Sequence, residues 1–88
     1  MSELQNKTVF ITGASSGIGK ATALMLLEAG AKVFDFSRTH RLSDEISHGN
    51  LRSFRGDVSV EADVVAGFAG CLEPYGTVDV LLNNAGMC

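Results

Sequence analysis

Eighty-eight residues make one small domain at most, and 45% apolar with 19% charged residues is a globular rather than a disordered composition. The net charge of −3, with seven Lys and Arg scattered along the chain, argues against a nucleic-acid footprint. No apolar run approaches the ~20 residues of a membrane span, and the first eight residues hold no signal-peptide core. Cytoplasmic location is therefore the default expectation. Two cysteines, Cys71 and Cys88, make neither a disulfide framework nor a metal site.

Read along the chain, strand and helix signals alternate. Lys7–Thr12 is a β-branched and aromatic run, the signature of a buried strand. A Gly- and Ser-rich turn, Gly13–Gly19, follows. From there Ile18, Ala21, Thr22, Met25, Leu26 and Ala29 recur at helical spacing and predict one apolar face. Gly30 stands where a C-cap glycine belongs. Ala31–Phe36 reads as a second strand, and Leu42–Ser47 as a short helix within a polar stretch. Leu51–Arg55 is a third strand. Ser59 is positioned to cap a second long helix, with Glu61 and Asp63 in its first turn. Val60, Val64, Phe68, Cys71, Leu72 and Tyr75 form its apolar face. Gly67 and Gly70 weaken that helix by roughly 1 kcal/mol each relative to Ala. Pro74 is expected to end or bend it. Val78–Leu82 is the fourth strand, left by a tight exit at Asn83–Gly86. This β-α-β-(short α)-β-α-β alternation predicts a parallel sheet with helices on both faces, half of a Rossmann doubly wound sheet with strand order 3-2-1-4.

The glycines have the spacing G-x-x-x-G-x-G between a strand and a helix. Free N–H groups and a partial positive charge at the helix start favour a phosphate there. The spacing fits neither the common G-x-G-x-x-G fingerprint nor a Walker A loop. A tight strand-to-helix turn without a ligand is the plain alternative.

Three motifs in order then carry a resemblance. Thr12-Gly13-Ala14-Ser15-Ser16-Gly17-Ile18-Gly19 resembles the nucleotide-binding motif of the short-chain dehydrogenase/reductase family. Asp57-Val58 resembles the acidic position after its third strand, and Asn83-Asn84-Ala85-Gly86 its Asn-Asn-Ala-Gly motif. The resemblance runs from Lys7 to Gly86 and implies a nicotinamide dinucleotide cofactor. By that resemblance Gly13, Gly17 and Gly19 lie under the pyrophosphate. Ser15 and Ser16 offer hydroxyls, and Ile18 a backbone N–H. Asp57 accepts from the adenine amino group with Val58 beside the ring. Asn83, Ala85 and Gly86 lie near the adenosine ribose. Asn84 stands between a ligand role and a structural one.

The end of the second strand bears on the choice of cofactor. An acid there binds the 2′-hydroxyl of NAD, whereas arginine accommodates the 2′-phosphate of NADP. The position holds Ser37 followed by Arg38, with Arg41 nearby, which favours NADP(H) over NAD(H). Ser16 stands where NADP-preferring relatives often carry a basic residue. Asp35 is two residues before Ser37, on the same strand face, where its charge works against a phosphate.

The implied activity is hydride transfer between the nicotinamide and a carbonyl or alcohol substrate. Its acid/base group in the family is a Tyr-x-x-x-Lys pair with an upstream serine. This chain has one tyrosine, Tyr75, and position 79 is Asp79. Tyr75 and Cys71 read as core, His40 and His48 as solvated loop residues, and Cys88 as a free thiol. The sequence thus resembles the N-terminal, cofactor-binding part of a longer oxidoreductase and looks like a truncation. A non-catalytic nucleotide-binding or vestigial fragment is the alternative. Its fourth strand is expected to be an exposed edge through which an oligomer could form. Neither nucleic acid nor membrane is expected as a partner.

Overall fold

A computed structural model describes residues 2–14 and 17–84 of the chain. Four strands, β1 (Thr8–Thr12), β2 (Lys32–Ser37), β3 (Leu51–Arg55) and β4 (Val80–Asn83), form one parallel sheet in the order β3-β2-β1-β4. Helix α1 (Gly17–Glu28) joins β1 to β2, and α2 (Glu61–Tyr75) joins β3 to β4. The predicted class and strand order are those observed. The predicted short helix after β2 is a single 3-10 turn, Leu42–Asp44.

Burial explains the strand sequences. Every residue of β1 and all but the first of β2 are buried, because these central strands have covers on both faces. On one face α1 and the 3-10 turn meet the sheet through Ile11, Ala14, Ala23, Leu27, Val33, Leu42 and Leu51. On the other, α2 packs Cys71, Val64, Phe68 and Tyr75 over Phe10, Phe34 and Phe36. That second layer is largely aromatic, with Phe10 stacked on Phe68 at 4.4 Å between ring centroids. The outer strands β3 and β4 are only half buried, and Leu81 on β4 is 56% exposed.

Two helix readings are corrected. Of the stripe predicted for α1, Leu26 packs against the core, but the buried face is centred elsewhere. Gly19, Ala23 and Leu27 face the sheet, while Ile18 and Met25 are 75% and 65% exposed. The helix is turned by about one residue, ~100°. Its small residues let the backbone approach the sheet, and bulk alone did not reveal that. Ser59 does not cap α2 either. The N-cap is Val60, without a side-chain bond, and the Ser59 hydroxyl instead donates to Asp57 Oδ1 at 2.7 Å. The rest of the predicted α2 face divides: Val64, Phe68, Cys71 and Tyr75 pack inward, whereas Val60 and Leu72 are exposed. Pro74 lies inside the last turn, and the helix ends one residue later at Tyr75, capped by Gly76, left-handed at φ +77°.

Candidate functional site

The site lies at the carboxyl ends of β1 and β4, where the chain leaves β1 toward β2 and returns on its other side. Open α/β sheets bind ligands at such a switch point. Gly13 turns the chain out of β1 at φ +72°, its N–H donating to the Phe36 carbonyl at 3.0 Å. Gly17 opens α1 at φ +59° with nothing within 4 Å of a built Cβ. Gly19 is needed for a different reason. A Cβ there would stand 2.3 Å from the Gly13 carbonyl oxygen and 2.4 Å from Asn84 Nδ2. Only glycine lets the first turn of α1 press against the end of β1.

The same contact decides the role of Asn84. Its side-chain N–H donates to the Gly13 carbonyl at 3.0 Å, and its backbone N–H to Thr12 Oγ1 at 2.9 Å. The Thr12 hydroxyl donates to Asn83 Oδ1 at 3.1 Å. Asn84 thus fastens the glycine turn to the end of β4. Thr12 joins this network, a role that its place in the glycine motif does not itself assign.

The first turn of α1 carries no acidic side chain to offset the positive end of the helix dipole. That of α2 is filled from within: Asp63 Oδ2 accepts the Asp57 N–H at 2.9 Å. Beside that helix Asp57 takes two bonds from Ser59, on its hydroxyl at 2.7 Å and its N–H at 2.8 Å. These bonds, with the nearby positive charge of Arg38, hold its carboxyl below the usual carboxylate range. Val58, half exposed, lines an apolar cleft of about 210 Å³ with Phe10, Thr12, Phe36, Leu81 and Asn83. A second cleft of similar volume lies on the α1 side, between Ile18, Gly19, Leu82 and Asn84.

At the end of β2, Ser37 is buried and Arg38 is exposed. Ser37 donates its hydroxyl to Asp35. Asp35 is fully buried and does not face the surface as a ribose ligand would. Arg41 is held by Asp44 at 3.3 Å. The structure thus brings Gly13, Gly17, Ile18, Gly19, Ser37, Arg38, Asp57, Val58 and Asn83 to one end of the sheet. Ser15, Ser16, Ala85 and Gly86, also expected there, lie outside the described residues, as does Cys88.

A family model described as short chain dehydrogenase matches residues 7–88. The chain belongs to the short-chain dehydrogenase family. It is 36% identical over 87 residues to ipsdienol dehydrogenase of Ips pini, covering 99% of this chain and 34% of that protein. It is also 36% identical over 89 residues to zerumbone synthase of Zingiber zerumbet, with 96% and 33% coverage. Among solved structures it is similar to a 3-ketoacyl-(acyl-carrier-protein) reductase from Brucella melitensis complexed with NADH. That match has a TM-score of 0.83 and 33% identity over 89% of this chain and 33% of the other. Glucose dehydrogenase of Caenorhabditis elegans matches with a TM-score of 0.86 and 33% identity, over 97% and 40%. The chain spans about a third of the length of the curated relatives it matches. Among the described residues no helix is long and apolar enough to cross a membrane.

Proposed function

We propose that this short-chain dehydrogenase chain binds the adenosine and pyrophosphate half of a nicotinamide dinucleotide, NADP(H) in preference to NAD(H). The bound cofactor would supply or accept a hydride, exchanged with a carbonyl or alcohol substrate. The residues fit such a group. A Cβ at Gly17 would meet open space, and no acid in the first turn of α1 competes with a pyrophosphate. Asp57 would accept from the adenine amino group with Val58 against the ring. Asn83 would stand by the ribose.

One observation carries the preference for NADP(H). At the end of β2 the exposed side chain is Arg38, while the nearest acid on that strand, Asp35, is buried and already bonded. A guanidinium can grip a phosphate with paired hydrogen bonds, and a fully engaged carboxylate cannot accept from a ribose hydroxyl. The proton-transfer step would fall to residues other than Tyr75. Its hydroxyl donates to the Asn50 carbonyl at 2.9 Å, and burial pushes its pKa up.

Calorimetric titration of the purified chain with NADPH and NADH tests the reading. Saturable binding that favours NADPH, with the preference lost in Arg38→Ala, is expected. Equal affinities, or an Arg38→Ala variant that keeps the preference, would remove the case for NADP(H). Absence of binding to either dinucleotide would remove the whole reading.

A further inference from the structure

The apolar clefts belong to the site already described, and the polar groups around His40 are exposed ion pairs. Among the described residues the one buried carboxyl group, which the proposed cofactor reading leaves without a task, is Asp35. It lies on β2, opposite Ile11 of β1 and Ser53 of β3. A carboxylate in such a place is costly unless its oxygens are hydrogen-bonded. Four donors meet it. Oδ1 accepts from the Ala14 N–H at 3.3 Å and from the Ser37 hydroxyl. Oδ2 accepts from the Leu42 N–H at 2.8 Å and from the Ser53 hydroxyl at 3.0 Å. Ser53 Oγ in turn accepts from the Ser43 N–H at 3.0 Å.

The sources of these donors matter more than their number. Ala14 belongs to the glycine turn. Ser37 and Leu42 are the two stems of the loop that carries Arg38. Both stems are buried, and the four residues between them are exposed. One carboxylate therefore clamps both ends of that loop and ties it to the turn beneath the expected pyrophosphate. A second tie acts farther along. Glu45 accepts from Lys20 Nζ of α1 at 2.7 Å and lies 3.0 Å from His40 Nε2. A loop so held has few conformations left to lose when a ligand arrives.

We propose that Asp35 is a positioning residue of the dinucleotide site, fixing the Arg38 loop relative to the glycine turn and so setting the preference for a 2′-phosphate. The inference rests on the proposed cofactor reading and adds to it a residue that touches no cofactor. Its two possible actions have opposite signs. As a mere buried negative charge, Asp35 would repel a 2′-phosphate, and removing it would raise NADPH affinity. As a clamp, it holds Arg38 in place, and removing it lowers NADPH affinity.

Asp35→Asn separates them. It keeps the shape, but whichever way the amide turns, its N–H₂ faces a group that only donates, the Ala14 N–H or the Leu42 N–H. The expected result is a fall of about tenfold in the ratio of NADPH to NADH affinity, equivalent to one lost hydrogen bond. Ser53→Ala, which removes one donor and frees the Ser43 N–H, should shift the ratio the same way by a smaller factor. Both are titrated beside wild type and Arg38→Ala, with circular dichroism to establish folding. A folded Asp35→Asn protein with an unchanged or raised ratio overturns the proposal. If Asp35→Asn does not fold, an unchanged ratio in Ser53→Ala overturns it. A uniform loss for both dinucleotides also overturns it, because that is what general loosening of the core would give. Failure of the underlying reading looks different: wild type then binds neither dinucleotide, or Arg38→Ala leaves the ratio intact, and this inference falls with it.

Discussion

Gly67 and Gly70 lie three residues apart in α2, and helix propensity treats them alike. Each Gly→Ala change should stabilise the helix by about 1 kcal/mol. The structure separates them. A Cβ at Gly70 would meet Phe34 Cζ at 3.5 Å and Phe54 Cδ2 at 3.7 Å, ordinary contact distances. A Cβ at Gly67 would meet two ring carbons of Phe36 at 2.5 Å. That ring would have to retreat by about 1 Å to reach a normal contact. It is boxed in, 1% exposed, with Phe10 at 5.8 Å and Phe54 at 5.6 Å between ring centroids. Gly56 leaves no retreat either, since a Cβ there would stand 2.8 Å from Phe36 Cζ.

Overpacking of this kind costs about 1–3 kcal/mol, and the rigidity of the ring stack places Gly67→Ala toward the upper end. After the gain in propensity, Gly67→Ala should destabilise by about 1–2 kcal/mol, while Gly70→Ala should stabilise by about 1. For a domain of this size the two melting temperatures should lie roughly 10–20 °C apart. Thermal and urea unfolding of both variants, followed by circular dichroism, measures the separation. If both melt above wild type by similar amounts, Phe36 is not wedged against α2 and the aromatic layer is described wrongly.

Tyr75→Phe should lower stability by about 1 kcal/mol through loss of the bond to the Asn50 carbonyl, and leave dinucleotide affinity unchanged; a loss of binding would contradict a packing role. Glu45 is held below its ordinary value of 4.5, first by the Lys20 hydrogen bond. Its stabilising contribution is therefore present above pH 4.5 and lost as pH falls through the lower folded value. Glu45→Gln should make the acid limb of the stability curve shallower, and an unaltered limb would show that the Lys20–Glu45 pair contributes nothing. Burial pushes the Cys71 thiol up to about 11 from 9.0. Cys71 should thus resist alkylation at pH 8 in the native chain and react in the urea-unfolded chain, read by peptide mapping that separates it from Cys88. The same shift lowers stability as pH rises from 9 toward 11, where only the unfolded thiol ionises.

The sheet was legible because its strands are short apolar runs separated by polar or glycine-rich turns. Leu51–Arg55 carries the same bounds in the sequence reading and in the structure. Helix faces were harder. Counting bulk on α1 selected Ile18 and Met25, but small Gly19 and Ala23 are what allow close contact with the sheet. Ser59 failed as a cap because Asp57, two residues earlier, offers its hydroxyl a carboxylate. At the site, motif spacing located the glycine turn but could not divide labour within Asn83-Asn84. That division depends on a 3.0 Å contact between segments 71 residues apart. Asp35 did stand out as an acid inside an apolar strand, yet its four donors come from turns and strands that no local pattern joins.

On the proposed cofactor reading, the two long helices separate a place for a ligand from a place the chain fills itself. Both begin at the carboxyl end of a strand, so both present a positive end at the same edge of the sheet. At α2 the chain supplies its own negative charge, with Glu61 and Asp63 in the first turn and Asp63 bonded to the Asp57 N–H. At α1 the first turn is Gly17-Ile18-Gly19-Lys20, with no carboxylate. Its acid, Asp35, instead lies beneath the turn and holds the Ala14 N–H. An acid exposed in that first turn would complete the helix electrostatically and repel a pyrophosphate. Burying it keeps the anchoring bond to Ala14 and adds no carboxylate to the first turn of α1. The sequence change that should close the site most cleanly is therefore one that restores what α2 already has, an Ile18→Glu substitution at a 75% exposed position. It should leave the fold intact, or stabilise it by about 0.3–1 kcal/mol, while weakening NADPH and NADH alike. Titration of this variant with both dinucleotides is the check, and undiminished binding would mean that the helix end does not face the pyrophosphate.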